Sequence, residues 1–222
     1  MISQGFFIRR IMIKLALFDV DYTLTRKETL IAFFAYLIRR NPSLLLHLPK
    51  AAMSGLLFKL GINKEKKTKE MFLSFMRDLP MEELNELTDG FIEDEMKKIL
   101  YTDGIEKIRE LKNKGYLIVL TSASPEFYIN KLKDIFQADY VMGTRFQEKD
   151  GRFTALMLGE NNKGEEKVLR LKEVFANQEI DYENSYMFSD SMSDDPLLRL
   201  VGKPYLINYR KKKPVYPVLY WR

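Results

Sequence analysis

The sequence predicts an α/β protein, a doubly wound parallel sheet with an all-helical segment inserted after its first strand. Three observations carry this. Short apolar runs recur that read as strands buried on both faces. Beyond residue 100, helix-period segments alternate with them. Residues 29–100 show no strand signal, and a connection that long is an inserted domain and not a loop.

Residues 11–18 form an apolar run that ends at Asp19, the first predicted strand. In residues 104–114, apolar side chains at 105, 108 and 111 share one helix face, and Gly115 stands where a helix stops. Residues 116–121 (YLIVLT) read as the second strand. Pro125 opens a helix over 125–136, at a position that favours proline. Residues 141–158 read as a hairpin turning at Asp150-Gly151. A helix over 164–177, a strand over 185–188 and a last strand over 204–207 complete the order. The expected division is a catalytic core of residues 12–26 and 101–208, a helical cap of 27–100, and a basic tail of 209–222.

Composition narrows the chemistry. The 222 residues contain no cysteine and one histidine, His47. Disulfides, thiolate metal sites, cysteine nucleophiles and multi-histidine metal sites are excluded. The net charge is +5, and Arg210, Lys211, Lys212, Lys213 and Arg222 account for it, so the body of the chain is neutral. The excess reports a solvated terminus, not a nucleic-acid-binding surface. The N-terminus, MISQGFFIRRIMIK, lacks the pattern of a secretory signal, and Met12, where the first strand begins, is an alternative start to Met1. With no spanning segment, the expected location is cytoplasmic.

Three predicted strands end in oxygen-rich turns, where doubly wound sheets bind ligands. The first is FDVDYT, residues 18–23. Asp19 and Asp21, two apart on extended backbone, point the same way and make a cation site from which one carboxylate can attack an electrophile. A calcium loop is excluded, because its twelfth position is Leu30. Turn capping remains an alternative. The second is Ser122-Ala123-Ser124, where Ser122 could equally open a helix. The third is SDSMSDDP, residues 189–196, with Asp190 and Asp194 four apart; helix capping before Pro196 is the alternative for Asp194. Lys167 lies on the helix between, where a solvated lysine is the default.

The order of these signals matters more than any one of them. D-x-D-x-T, then Ser/Thr at the next strand end, a helix-borne Lys and D-x-x-x-D resemble the haloacid dehalogenase (HAD) superfamily of aspartate-nucleophile phosphotransferases, over nearly the whole chain. The branch most similar contains phosphoserine phosphatase. The resemblance implies a HAD-type Rossmann-like core and a Mg²⁺-dependent phosphatase. Asp19 would be the nucleophile and form an aspartyl-phosphate. Asp21 would be the acid and base. Ser122 would bond the phosphoryl oxygens and Lys167 neutralise them, with Lys167 preferred to Lys163 because Leu171 keeps the helix register. The implied metal residues are Asp19, Asp21, Asp190 and Asp194. The implied substrate residues are Thr23, Glu28, Ser122 and Ala123.

For the substrate, two resemblances diverge. Glu28-Thr29 and Asp78-Leu79-Pro80 match phosphoserine phosphatases, but Phe72 stands where those enzymes place an arginine, and Ser122-Ala123-Ser124-Pro125 replaces their Ser-Gly-Gly. The segment FFAYLIRRNPSLLLHLP, residues 33–49, is similar to the caps of phosphatidylglycerophosphatase C-type enzymes. Residues 30–60 carry no acid and only Arg39, Arg40, Lys50 and Lys59 as charges, a pattern suited to a membrane surface. A packed cap core is the other reading. The expected substrate is therefore a lipid or glycerol-linked phosphate. Phosphoserine, or binding without turnover, is the alternative. Peripheral contact with the inner membrane face is expected through the cap.

Overall fold

The computed structural model describes residues 12–222. The readings of Ile11 as part of the first strand and of the N-terminal segment as lacking a leader lie outside the described residues.

Six strands form one sheet: β1 Leu15–Phe18, β2 Leu117–Pro125, β3 Tyr140–Thr144, β6 Tyr186–Ser189, β7 Lys203–Ile207 and β8 Val218–Leu219. Their order is β3-β2-β1-β6-β7-β8, and every neighbouring pair is parallel. The chain winds outward from β1 to β3, returns to β6 on the other side of β1, and winds outward again. The switch point of this doubly wound sheet lies between β1 and β6.

The sheet helices are α5 Thr102–Asn113, α6 Glu126–Ile129, α7 Leu132–Phe136, α8 Glu165–Val174 and α9 Asp195–Leu200. Alternate residues of β1 face opposite layers. Ala16 and Phe18 pack with Ile108 and Leu111 of α5, while Leu15 and Leu17 pack with Leu171 of α8 and Leu197 of α9. All four are fully buried, which is why the strand reads as a continuous apolar run.

Between β1 and β2 lie α1 Thr29–Arg40, α2 Leu48–Lys59, α3 Glu65–Leu73 and α4 Met81–Asp94, with 3-10 turns over Pro42–His47, Ser74–Met76 and Met96–Ile99. Two arginines at the end of α1 pair with two acids at the end of α4: Arg39 meets Glu95 at 3.0 Å and Arg40 meets Asp94 at 2.8 Å. No helix of the described residues is long and apolar enough to cross a membrane.

The structure corrects three readings. The hairpin is shorter than residues 141–158: β3 belongs to the parallel sheet, and only β4 Phe146–Lys149 and β5 Arg152–Met157 pair antiparallel. Its turn holds Asp150 and Gly151 at φ 51° and 71°, the left-handed pair that a two-residue hairpin requires. The helix expected over 125–136 is two short helices, α6 and α7, separated at Asn130 and Lys131. The terminus is not merely solvated. Arg210–Lys213 are exposed, but β8 joins the sheet edge and Trp221 is buried against Phe18 and Phe188, at ring separations of 6.5 and 5.7 Å. Burial of so large an aromatic surface outweighs the cost of ordering the tail.

Candidate active site

Register places the first acids. Phe18 lies opposite Phe188, and the Asp19 amide donates to the Phe188 carbonyl at 2.9 Å, so the ends of β1 and β6 leave the sheet side by side. After Asp21 the chain turns sharply. Tyr22 takes φ 58°, and the amides of Thr23, Leu24 and Thr25 fold back onto the Val20 carbonyl. That turn brings the Thr23 hydroxyl within 3.3 Å of an Asp19 oxygen, to which it donates, while it accepts from the Asp190 amide at 2.8 Å.

Lys167, in the first turn of α8, is buried between two carboxylates. Its ammonium donates to Asp19 Oδ1 and to Asp194 Oδ2, each at 2.7 Å. Ser189 donates to the same Asp194 oxygen at 2.8 Å. The other Asp194 oxygen is buried with no hydrogen-bond partner among the described residues. Lys163, the rival lysine, lines the same cavity but pairs with Glu65 at 2.5 Å.

Asp21 has a different environment. It accepts from the Thr29 amide and hydroxyl, each at 2.6 Å, from Ser124 at 2.7 Å and from Ser122 at 3.1 Å. Thr29 is in turn within 3.0 Å of the Tyr128 hydroxyl. The Thr29 amide belongs to the first turn of α1, so Asp21 is fixed at the start of that helix. Ser122 is fully buried and faces Asp21; Ala123 lines the cavity beside it.

Charge crowding sets the titration of the site. Burial, and then the neighbouring carboxylates, hold Asp19 well above the usual range despite the opposing Lys167. Burial and Asp194 push Asp190 up to about 6. Burial opposes the Lys167 charge, but Asp19 and Asp194 together keep its ammonium above the usual lysine range. Glu28, which caps α1 through the Ile31 amide at 2.6 Å, is pushed up to about 7 by burial and by Asp21.

The four expected metal carboxylates do not form one cage. Among the described residues, no group of three or more His, Cys, Asp or Glu side chains is gathered to hold an ion. Asp194 is held by Lys167 and Ser189, and Asp21 by hydroxyls. Asp19, buried and held by Lys167 and Thr23, and the half-buried Asp190 repel one another, with an unpartnered oxygen of Asp194 nearby. This all-oxygen set fits a hard divalent ion that keeps waters and takes ligand oxygens.

Asp19, Asp21, Glu28, Lys167, Asp190 and Asp194 line one cavity of about 570 Å³, together with Leu30, Ile31, Phe58 and Phe72 from the inserted helices. The sequence reading passed over Lys69 and Asn161 in the same wall. Lys69 donates to the Ala123 carbonyl at 2.6 Å and to Asn161 Oδ1 at 2.7 Å, and burial lowers its ammonium to about 8. It also passed over Asn162, buried, which bonds the carbonyls of Ser122 and Met142 at 3.0 and 2.9 Å and so ties the ends of β2 and β3 together.

A family model described as haloacid dehalogenase-like hydrolase matches residues 16–199. A phosphoserine phosphatase of Methanocaldococcus jannaschii is 30% identical over 194 residues, 85% of this chain and 82% of that protein. A solved structure of a protein with unknown function from Bordetella pertussis superposes with a TM-score of 0.83 at 23% identity, covering 94% of this chain and 99% of that one. A phospho-aspartyl intermediate analogue of phosphoserine phosphatase superposes at 0.61 with 25% identity, covering 90% of this chain and 88% of its own.

Proposed function

Because the chain belongs to the haloacid dehalogenase-like hydrolase family, we propose that its phosphatase activity runs through an aspartyl-phosphate on Asp19 and requires Mg²⁺. The observation that carries this reading is the division of labour between Asp19 and Asp21. One sits against a buried lysine, the other within a shell of hydroxyl and amide donors. Paired carboxylates in unlike environments are what nucleophile and acid–base roles need.

In this reading an Asp19 oxygen attacks phosphorus. The ester oxygen leaves with a proton from Asp21, and the phosphoryl group rests on Asp19. Water then attacks phosphorus, gives its proton to Asp21, and releases phosphate and the free Asp19 carboxylate. Lys167 offsets the charge that collects on the phosphoryl oxygens, and Thr23, Ser122 and Ala123 orient them. Asp19 and Asp190 would hold the Mg²⁺, with Asp194 on its waters. The ion supplies the positive charge that lets an anionic carboxylate meet an anionic ester. Residues 27–100 serve as the cap over a core of 12–26 and 101–208.

For the leaving group, the apolar wall of Leu30, Ile31, Phe58 and Phe72 supports a lipid or glycerol-linked phosphate. The outer surface of α2 and its flanking turns supports lipid contact as well. Leu46, Leu56, Leu60 and Ile62 are exposed there, interspersed with Lys50 and Lys59, a composition that suits an anionic bilayer surface on the cytoplasmic side. Phosphoserine is the second reading, favoured by Glu28 in the cavity wall. A panel of serine, small-alcohol and lipid phosphates, run with Mg²⁺ and again with EDTA, tests these readings. Turnover should vanish in EDTA and return with Mg²⁺. Full activity after exhaustive chelation overturns the metal, and phosphoserine as best substrate overturns the lipid.

A further inference from the structure

Lys69 stands on α3, one turn before Phe72, so its ammonium and that aromatic ring share a helix face toward the cavity. The cavity wall contains two other lysines, and both are matched by carboxylates: Lys167 by Asp19 and Asp194, Lys163 by Glu65. The hydrogen-bond partners of Lys69 among the described residues are different in kind. They are the Ala123 carbonyl and the Asn161 amide oxygen, both neutral.

The carboxylates around Lys69 are committed to other donors. Glu65 takes Lys163 at 2.5 Å and Asn161 Nδ2 at 3.0 Å, Glu28 takes the Ile31 amide, and Asp21 takes its four donors. An ammonium has three N–H groups. Two are used, on neutral oxygens, while Asp21, Glu28 and Glu65 act on this charge through space without a direct hydrogen bond, so the third N–H is open to an anion in direct contact. Its position says which part of a ligand that is. Ala123 adjoins Ser122, on the side expected to hold the phosphoryl oxygens. Lys69 borders that side through Ala123 while Phe72 lines the wall farther along α3, so a group that meets Lys69 from the Phe72 side belongs to the leaving alcohol.

We propose that Lys69 selects the leaving group by binding a second anionic oxygen group on the substrate alcohol, a carboxylate or a phosphodiester. This rests on the phosphatase reading above and adds to it the class of ester. Phe72 stands where phosphoserine phosphatases place an arginine, and a cation is present one turn earlier on the same helix.

The test uses two esters that differ by a carboxylate for a hydroxymethyl group, 3-phosphoglycerate and sn-glycerol 3-phosphate. Dihexanoyl phosphatidylglycerol phosphate supplies the phosphodiester arm. The wild type should favour at least one anion-bearing ester over glycerol 3-phosphate by about tenfold or more in kcat/KM, the range of one charge-assisted hydrogen bond. Which of the two it favours identifies the anion. Lys69→Met should erase most of that ratio, and Lys69→Arg should keep most of it. A wild type that treats all three alike overturns the proposal, whether or not the methionine variant folds. So does a Lys69→Met variant that slows every ester by the same factor, which a purely structural role would produce. p-Nitrophenyl phosphate, assayed alongside with wild type and Asp19→Asn, reads the phosphatase account separately. Turnover of that ester that survives Asp19→Asn condemns the nucleophile and not Lys69.

Discussion

At the ends of β1 and β6, Asp19, Asp21 and Asp194 are each tied to named partners, drawn from α8 and α1 as well as from the strand ends. Around α2, by contrast, large apolar side chains stand exposed, Leu46 at 82% and Ile62 at 67%. The first region spends burial on charges, which is tolerable only because Lys167 and a shell of hydroxyls meet them. The second leaves apolar surface in contact with water, which a monomeric domain rarely does over a contiguous patch. The difference separates chemistry from selectivity. In the proposed mechanism the two reacting aspartates ride on the end of β1, whose position the sheet register sets, and the groups that choose a substrate ride on helices placed by packing.

The largest expected effect breaks the first region at its centre. Asp19→Asn keeps the shape and removes the attacking charge, so kcat should fall about a thousandfold or more. Retention of a tenth of wild-type activity would remove Asp19 from the role of nucleophile. Lys167→Met should cost activity as well, and it should also cost stability. It leaves Asp19 and Asp194 buried and facing each other, a loss of about 3–5 kcal/mol by denaturant unfolding. Unchanged stability would mean that water reaches this pair freely.

Two smaller changes sharpen the contrast from the cap side. Phe72→Arg places a second cation in the apolar wall. The variant should raise kcat/KM for phosphoserine about tenfold, through one added charge-assisted hydrogen bond, while lowering it for apolar esters. A uniform change across the panel would show that Phe72 does not face the leaving group. Glu28→Gln should act through pH. Folded Glu28 holds its proton up to about 7, while the unfolded chain releases it near 4.5. The folded state binds the extra proton in that window, so stability falls as pH rises from about 4.5 to about 7. Glutamine keeps the cap on α1 and removes the titration. The variant should melt higher than wild type at pH 8 and no higher at pH 4, measured without divalent ions.

These regions also differ in how much of them could be read beforehand. Asp19, Asp21, Ser122 and Asp190 stand where apolar runs end, and in a parallel sheet that alone sends them to one edge. Lys69 sits in KEKKTKE, residues 64–70, where each lysine reads as solvent-facing. Only the packing of α3 decides which of them turns inward. β3 was misread because residues 140–144 are as compatible with a hairpin arm as with a buried parallel strand. β8 is two residues long, too short to leave a periodicity, and its burial depends on Trp221 reaching Phe18 and Phe188 across the sheet.

The phosphoryl group on Asp19 can be caught directly. Wild type mixed with a good ester substrate and Mg²⁺, quenched in acid within one turnover and digested, should yield the peptide containing Asp19 heavier by one phosphoryl group. That label should be stripped by hydroxylamine, as an acyl phosphate is, and absent from Asp19→Asn. An enzyme that turns over the same ester with no label on that peptide, or with a stable label on another residue, contradicts the account.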